Sequence, residues 1–406
     1  MGYIALMKAR AWSLLAAVVV SASAVFAAPD VPANPEVRSS ALAEAVEAVE
    51  LTLAGMSSAV LAGDVAGYLE QIWRSDKVLA AEERHFIEDC VKNRPVQFHL
   101  SMSDAVFEGE RLRGQVTASW RMEEGALREV SYPAWFVRDE SAWRYAGRVW
   151  EERKAPGVLV KFVPGLEDIA EATLAELPAI MEMVHEDLGV MPPPGFVQEV
   201  KMYETMIELQ YSIFPSYKDP LGGWNEPGES IKVLVRPSTR LQQLKTLLAH
   251  EYGHVGTFIM GEKATDAPWW VLEGVAEHVS SGISNSPVRV HRRVLGWARQ
   301  DNLAPWEAMN DFPLAPEHRK WGGHVYTQGH HMVAFITTTF GRDARNRWLR
   351  AMAGGMSIDE ASREALGAPF EEVDRRWREA IDLELLTEEV PADAPAEAAG
   401  GQAERT

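Results

Sequence analysis

One short run holds side chains of the types and spacing that bind a metal ion and move a proton. These are His250, Glu251 and His254 in Leu247-Leu248-Ala249-His250-Glu251-Tyr252-Gly253-His254. In an α-helix, positions i and i+4 share a face. The two imidazoles therefore aim at one point, and zinc accepts neutral imidazole nitrogens at about 2.0–2.1 Å. Glu251 sits beside that face, within reach of a water at the ion without being a ligand to it. A solvated helix face also carries such a pattern by chance, so a third ligand decides. Eighteen residues separate His254 from Glu273, in Pro268-Trp269-Trp270-Val271-Leu272-Glu273-Gly274-Val275-Ala276-Glu277. The interval lets one helix end, a loop turn back, and a second helix, with Pro268 near its first turn, deliver Glu273. Three protein ligands and an open fourth position are what a catalytic zinc ion needs. Glu277, one turn further on, is placed to accept a hydrogen bond from the outer nitrogen of a ligand histidine and fix its tautomer.

The elements that must position these groups follow from periodicity and punctuation. Helices are expected over about 239–260, 267–281 and 325–340, with further helix to about Leu386. Thr239 and Gln242 suit a capping box for the first of these, and Gly261 suits its end. Upstream, Val158–Val163 reads as a strand, Glu167–Leu188 as an amphipathic helix and Val197–Tyr203 as a strand. A turn-rich loop, Gly222–Gly228, leads into a strand over Ile231–Arg236, stopped by Pro237. That last strand is the expected edge on which an extended substrate pairs. Nearer the N-terminus, Ala28–Pro35 reads as linker and Ser40–Ile87 as helical. Strands follow at Phe98–Leu100, Gly114–Trp120, Tyr132–Val137 and Ala142–Trp150. Trp73, Trp120, Trp135, Trp143 and Trp150 read as core packing.

With these residues in view, the chain resembles the gluzincin zinc metallopeptidases, and most closely the peptidase MA-like family, over most of Gly157–Leu386. The zinc motif, the eighteen-residue gap and Trp-x-x-Glu-Gly-x-Ala-Glu carry the resemblance. Val163-Pro164-Gly165 and Leu188-Gly189-Val190-Met191-Pro192-Pro193, which bracket a long helix, add to it. So do Tyr326-Thr327-Gln328-Gly329, Phe340-Gly341, Ala365-Leu366-Gly367 and Arg376-Trp377. The chain departs at Gly329, where family members often carry serine. The resemblance implies a downstream tyrosine or histidine as oxyanion donor, making Tyr326 the first candidate and His330 the second. Residues 40–150 are similar in layout to the SnoaL-like cone fold. The expected class is thus α+β: a mostly helical gluzincin-type domain with a small mixed sheet (156–386), preceded by a smaller, cone-like α+β domain (40–153).

Composition bounds the rest. The net charge of -19 argues against nucleic acid as a partner and against anionic lipid. The single cysteine, Cys90, excludes an intramolecular disulfide and a site of several thiolates, and reads as a small buried apolar residue. Lys8, Arg10 and the uncharged stretch Trp12–Ala28 read as an export signal over residues 1–27, cut after Ala24 or Ala27. No later segment reads as bilayer-spanning, so a periplasmic or extracellular protein without stable membrane insertion is expected. A linker (28–39) and a disordered acidic tail (387–406) complete the organisation. The expected activity is hydrolysis of a peptide or protein substrate, with Zn2+ as cofactor. Two other classes keep the same residues: a zinc-binding protein without catalysis, whose N-terminal domain holds a ligand or partner, and a zinc hydrolase acting on another bond. An intact Glu251 counts against the first.

Overall fold

In a computed structural model of the chain, residues 35–283, 287–311 and 320–388 are described. The expected leader and nearly all of the tail lie outside them. The fold is α+β and mostly helical, with two separate sheets.

The first unit is three helices and an antiparallel meander. Helix α1 (Pro35–Ala62) begins within the expected linker, with proline at its first position, where no amide hydrogen is needed. Helices α2 (Val65–Glu70) and α3 (Lys77–Lys92) follow. The strands are β1 (Gln97–Glu108), β2 (Arg111–Arg121), β3 (Arg128–Asp139) and β4 (Ala142–Arg148), paired in that order. Alternate β2 residues, from Leu112 to Trp120, are buried, as a sheet with one covered face requires. The cover is α1, through a stripe of Ala45, Val49, Leu53, Met56 and Val60 at helical spacing. By length and composition Ser39–Ala62 is apolar enough to cross a bilayer, contrary to the expectation above. Here that apolarity is the stripe, spent on the sheet. Cys90 is fully buried, as expected, and burial pushes its thiol pKa far up, which keeps it unreactive.

The second unit is built on a mixed sheet in the order β5-β6-β7-β9-β8: β5 (Glu151–Ala155), β6 (Val158–Phe162), β7 (Gln198–Tyr203), β8 (Gly223–Trp224) and β9 (Ile231–Leu234). Strands β6, β7 and β9 run parallel, and the outer pairs are antiparallel. Two expectations are corrected. The strand expected to reach Trp150 stops at Arg148, and the chain then enters the second sheet, so the expected boundary at 153/156 falls inside the β5–β6 hairpin. Strand β9 is also not an edge. It is paired on both sides, and the edge is the two-residue β8, within what reads from sequence as a loop.

The remaining helices are α4 (Glu167–Leu188), α5 (Met206–Ile213), α6 (Leu241–Phe258), α7 (Trp269–Ser280), α8 (Pro287–Arg299), α9 (Gly322–Phe340), α10 (Arg342–Ala353), α11 (Ile358–Leu366) and α12 (Phe370–Glu388). Short α5 and strongly basic α8 are not anticipated from periodicity. Nor are the ends of α6: Gln243, not Gln242, takes the amide hydrogen of the N-cap residue Arg240, while Gln242 donates to the Ile283 carbonyl. The helix ends at Phe258, before Gly261.

Helix α7 is the hub, packed against both α6 and α9. Its contact with α9 is backbone on backbone at Gly274 and Gly329. A Cβ on Gly274 would stand 2.5 Å from the Gly329 carbonyl carbon, and one on Gly329 would stand 2.5 Å from the Trp270 oxygen. Glycine at 329, where relatives of the resembled family often carry serine, is therefore required by this helix crossing. The main buried cluster of each unit is joined to the other by a polar seam. In it the Lys201 ammonium lies 2.5 Å from Glu82, Ser230 donates to Glu82, and Lys232 lies 2.9 Å from Glu229.

Candidate metal centre

Helix α6 carries His250 and His254 one turn apart on the face toward α7, and α7 presents Glu273 between them. The three facing atoms form a nearly equilateral triangle. His250 Nε2 lies 3.2 Å and His254 Nε2 lies 3.4 Å from Glu273 Oε2, and the two nitrogens are 3.3 Å apart. A tetrahedral ion with bonds of roughly 2.0–2.1 Å spaces its ligand atoms about 3.3–3.4 Å apart. The triangle thus has the dimensions of three ligand positions of such a tetrahedron. The polar neighbours of the buried Glu273 Oε2 are the two histidine nitrogens, and a cation shared by all three atoms would satisfy them together. The residues present therefore fit zinc. Among the described residues no other group of three or more ligating side chains converges this way.

Two of the three are braced. The other carboxylate oxygen of Glu273 accepts a 2.9 Å hydrogen bond from the Trp269 indole, one turn back on α7. His250 Nδ1 lies 3.2 Å from Glu277 Oε1, the place that sequence spacing assigns to Glu277. Bracing of this kind fixes ring orientation and raises ligand basicity. Burial alone would lower the His250 pKa, but the Glu273 and Glu277 carboxylates raise it well above the ordinary value. Burial likewise opposes ionisation of Glu273, yet the two histidines hold it far below the usual carboxylate range.

Glu251 does not join the triangle. It points to β8, whose Gly223 makes room for it: a Cβ there would stand 2.4 Å from Glu251 Oε1. Asn225, just beyond β8, donates from Nδ2 to Glu251 Oε2 at 3.1 Å and to the Glu251 carbonyl at 2.9 Å. Burial raises the Glu251 pKa, against the pull of His250 and His254.

Tyr326 reaches the site from α9, its ring 6.1 Å from the His250 ring and perpendicular to Trp269 at the same distance. Burial, then the charges of Glu273 and Glu251, push its pKa well up, so its hydroxyl keeps its proton and remains a donor. His330, the other sequence candidate, is not brought to the site. It is 2% exposed and packs edge-on against His278, away from the cleft. His278 and His331 are also committed to buried contacts, and His324 stacks on Trp297 at 3.8 Å.

These groups line a cleft of about 1380 Å3, walled also by Trp224, Phe258, Arg289 and Asn310. Small-molecule pockets usually span about 300–1,000 Å3. Sequence reasoning misses Gly223, Asn225 and Trp269. The first two lie in what reads as a loop, and Trp269 reads only as an apolar start to its helix. No protein-family model matches this chain, and no curated protein matches it either.

Proposed function

We propose that the chain is a zinc-dependent peptidase, exported by its N-terminal leader, that hydrolyses peptide bonds in the cleft beside β8. One observation carries the reading: a zinc-sized triangle of His250, His254 and Glu273, open on the side where Glu251 and a large cleft meet. Zinc held there supplies Lewis acidity, which acidifies water and polarises a carbonyl. Glu251 takes the proton of the attacking water and delivers it to the leaving amine. Asn225 and Gly223 hold that carboxylate in line for both transfers. The Tyr326 hydroxyl donates to the developing oxyanion. The unpaired side of β8 offers backbone groups to an extended substrate. In this reading β8 takes the place that sequence assigned to Ile231–Arg236.

The test is a chelator-sensitive assay of the purified chain on a diverse peptide mixture, with zinc measured by elemental analysis. Cleavage with about one zinc per chain, lost in Glu251→Gln with zinc retained, is the expected result. Stoichiometric zinc without cleavage would overturn the peptidase reading and leave a different hydrolase or a binding protein.

A further inference from the structure

A second cavity shares no lining residue with the metal centre. It has a volume of about 90 Å3 and lies where the first unit meets β7 and α5 of the second. A water needs only about 10–15 Å3 of such space, so the cavity holds a few waters or one small organic molecule.

Its walls are aromatic: Tyr68, Phe86, Tyr132, Tyr145 and Tyr211. The rings are in mutual contact, Phe86 with Tyr68 at 5.9 Å and with Tyr211 at 5.6 Å, and Tyr132 with Tyr211 at 6.1 Å. The charges are more informative. Three cations line the cavity, and each already has a carboxylate: Arg148 has Glu208 at 2.8 Å, Lys161 has Glu199 at 2.9 Å, and Lys201 has Glu82 at 2.5 Å. Lys232, close behind, has Glu229. One lining carboxylate is left over. Glu83 makes no ion pair among the described residues, and its single hydrogen bond there comes from the Tyr68 hydroxyl at 2.5 Å. Glu83 is half-buried, and a carboxylate drawn even partly out of water without a counter-charge is costly.

We propose that this cavity binds a small organic ammonium ion, its charge met by the Glu83 carboxylate within the ring of tyrosines. The aromatic walls suit such a cation, which they attract by their ring electrons. Cations already committed to their own carboxylates leave no partner for an anionic ligand. The electrostatics agree with this demand: burial raises the Glu83 pKa to about 7, against the hydrogen bond from Tyr68 and the more distant Lys232 and Lys201, with Glu82 adding to the rise. The carboxyl is therefore largely protonated below that pH and must release its proton when an ammonium ion enters. The reading is independent of the metal centre.

The experiment is calorimetric titration of the full chain with propylammonium, and with 1-propanol as its neutral counterpart. Saturable binding of the amine, at least tenfold tighter than the alcohol, is expected at pH 8. Below pH 7 the apparent Kd should rise roughly tenfold per unit. Titrations in buffers of different ionisation enthalpy should show nearly one proton released per amine at pH 6. Glu83→Gln should abolish the preference while far-UV circular dichroism stays native. Equal binding of amine and alcohol, or no saturable binding of the amine at millimolar concentration, would overturn the proposal, and neither outcome depends on a variant that folds.

Discussion

Gly223→Ala is the sharpest probe of how Glu251 is held. The new Cβ would meet Glu251 Oε1 at 2.4 Å, Cδ at 2.7 Å and Cγ at 2.9 Å. Ordinary contact begins near 3.4 Å, so the carboxylate must retreat by about 1 Å and loosen its bond to Asn225. A misplacement of this size costs proton transfer about 100-fold, or about 2.7 kcal/mol of barrier. The backbone at Gly223 is not left-handed, so alanine adds no conformational strain there and stability should change by less than about 1 kcal/mol. His250, His254 and Glu273 are untouched, and zinc stoichiometry should remain that of the wild type. The assay is kcat on a cleaved peptide, with zinc content and thermal midpoint measured on the same preparations. Gly222→Ala is the control, because its Cβ meets only the flexible tip of Leu247, at 3.3 Å, and it should cost far less. Undiminished kcat in Gly223→Ala would refute the placement of Glu251 against β8 as the proton carrier. Loss of zinc would show that β8 supports the ligands instead.

Trp269→Phe removes the indole donor to Glu273 Oε1 and should weaken zinc affinity by roughly 10- to 100-fold, as read by competition with a chromogenic chelator. Glu82→Ala leaves Lys201, whose side chain is only 6% exposed, with Glu199 at 3.3 Å as its remaining carboxylate, and should cost about 1–3 kcal/mol in denaturant unfolding. The raised pKa of Glu83 means that the folded chain holds a proton the unfolded chain has lost between about pH 4.5 and 7. Stability should therefore fall as pH rises through that window, by about 3 kcal/mol, and Glu83→Gln should flatten this slope and exceed the wild type in thermal midpoint at pH 8.

How far the sequence discloses this arrangement depends on whether a feature is local. The ligand pair is local, fixed by one helical turn, and Glu273 follows because two antiparallel helices joined by a short loop leave little freedom in where the second one lands. The edge strand is not local. Hydrophobic alternation reveals that Ile231–Leu234 pairs on both faces with a core, but nothing in it tells a central strand from an edge. Two residues, Gly223 and Trp224, are too few for any period to show. Strand β5 is hidden for a related reason: it is charged from Glu151 to Lys154, so it reads as the end of the preceding unit. Gly329 is legible only in three dimensions, since what it accommodates is the backbone of a helix some fifty residues earlier. His330 fails as a candidate because it is one turn beyond Tyr326 yet buried on the side of α9 that meets His278.

The first unit, which reads from sequence as a separable addition, belongs to the scaffold of the site. Helix α3 grips the start of β9: Glu82 accepts from the Ser230 hydroxyl at 2.5 Å, and His85 lies 2.7 Å from Glu229. Strand β9 in turn carries β8 through the pairs Gly223–Val233 and Trp224–Lys232, and the Lys232 ammonium is tied to Glu229 and to the carbonyl of Ser212. The chain of contacts from Glu82 to Glu251 is therefore short: α3 to β9, β9 to β8, and β8 to the carboxylate beneath Gly223. A two-residue edge strand has too few hydrogen bonds to hold the Glu251 side chain by itself. Its rigidity has to come from the strand it pairs with, and that strand is anchored by buried charge from the first unit. Breaking Glu82 should thus reach beyond stability to the alignment of Glu251, lowering kcat while leaving the His250–His254–Glu273 triangle able to hold its metal.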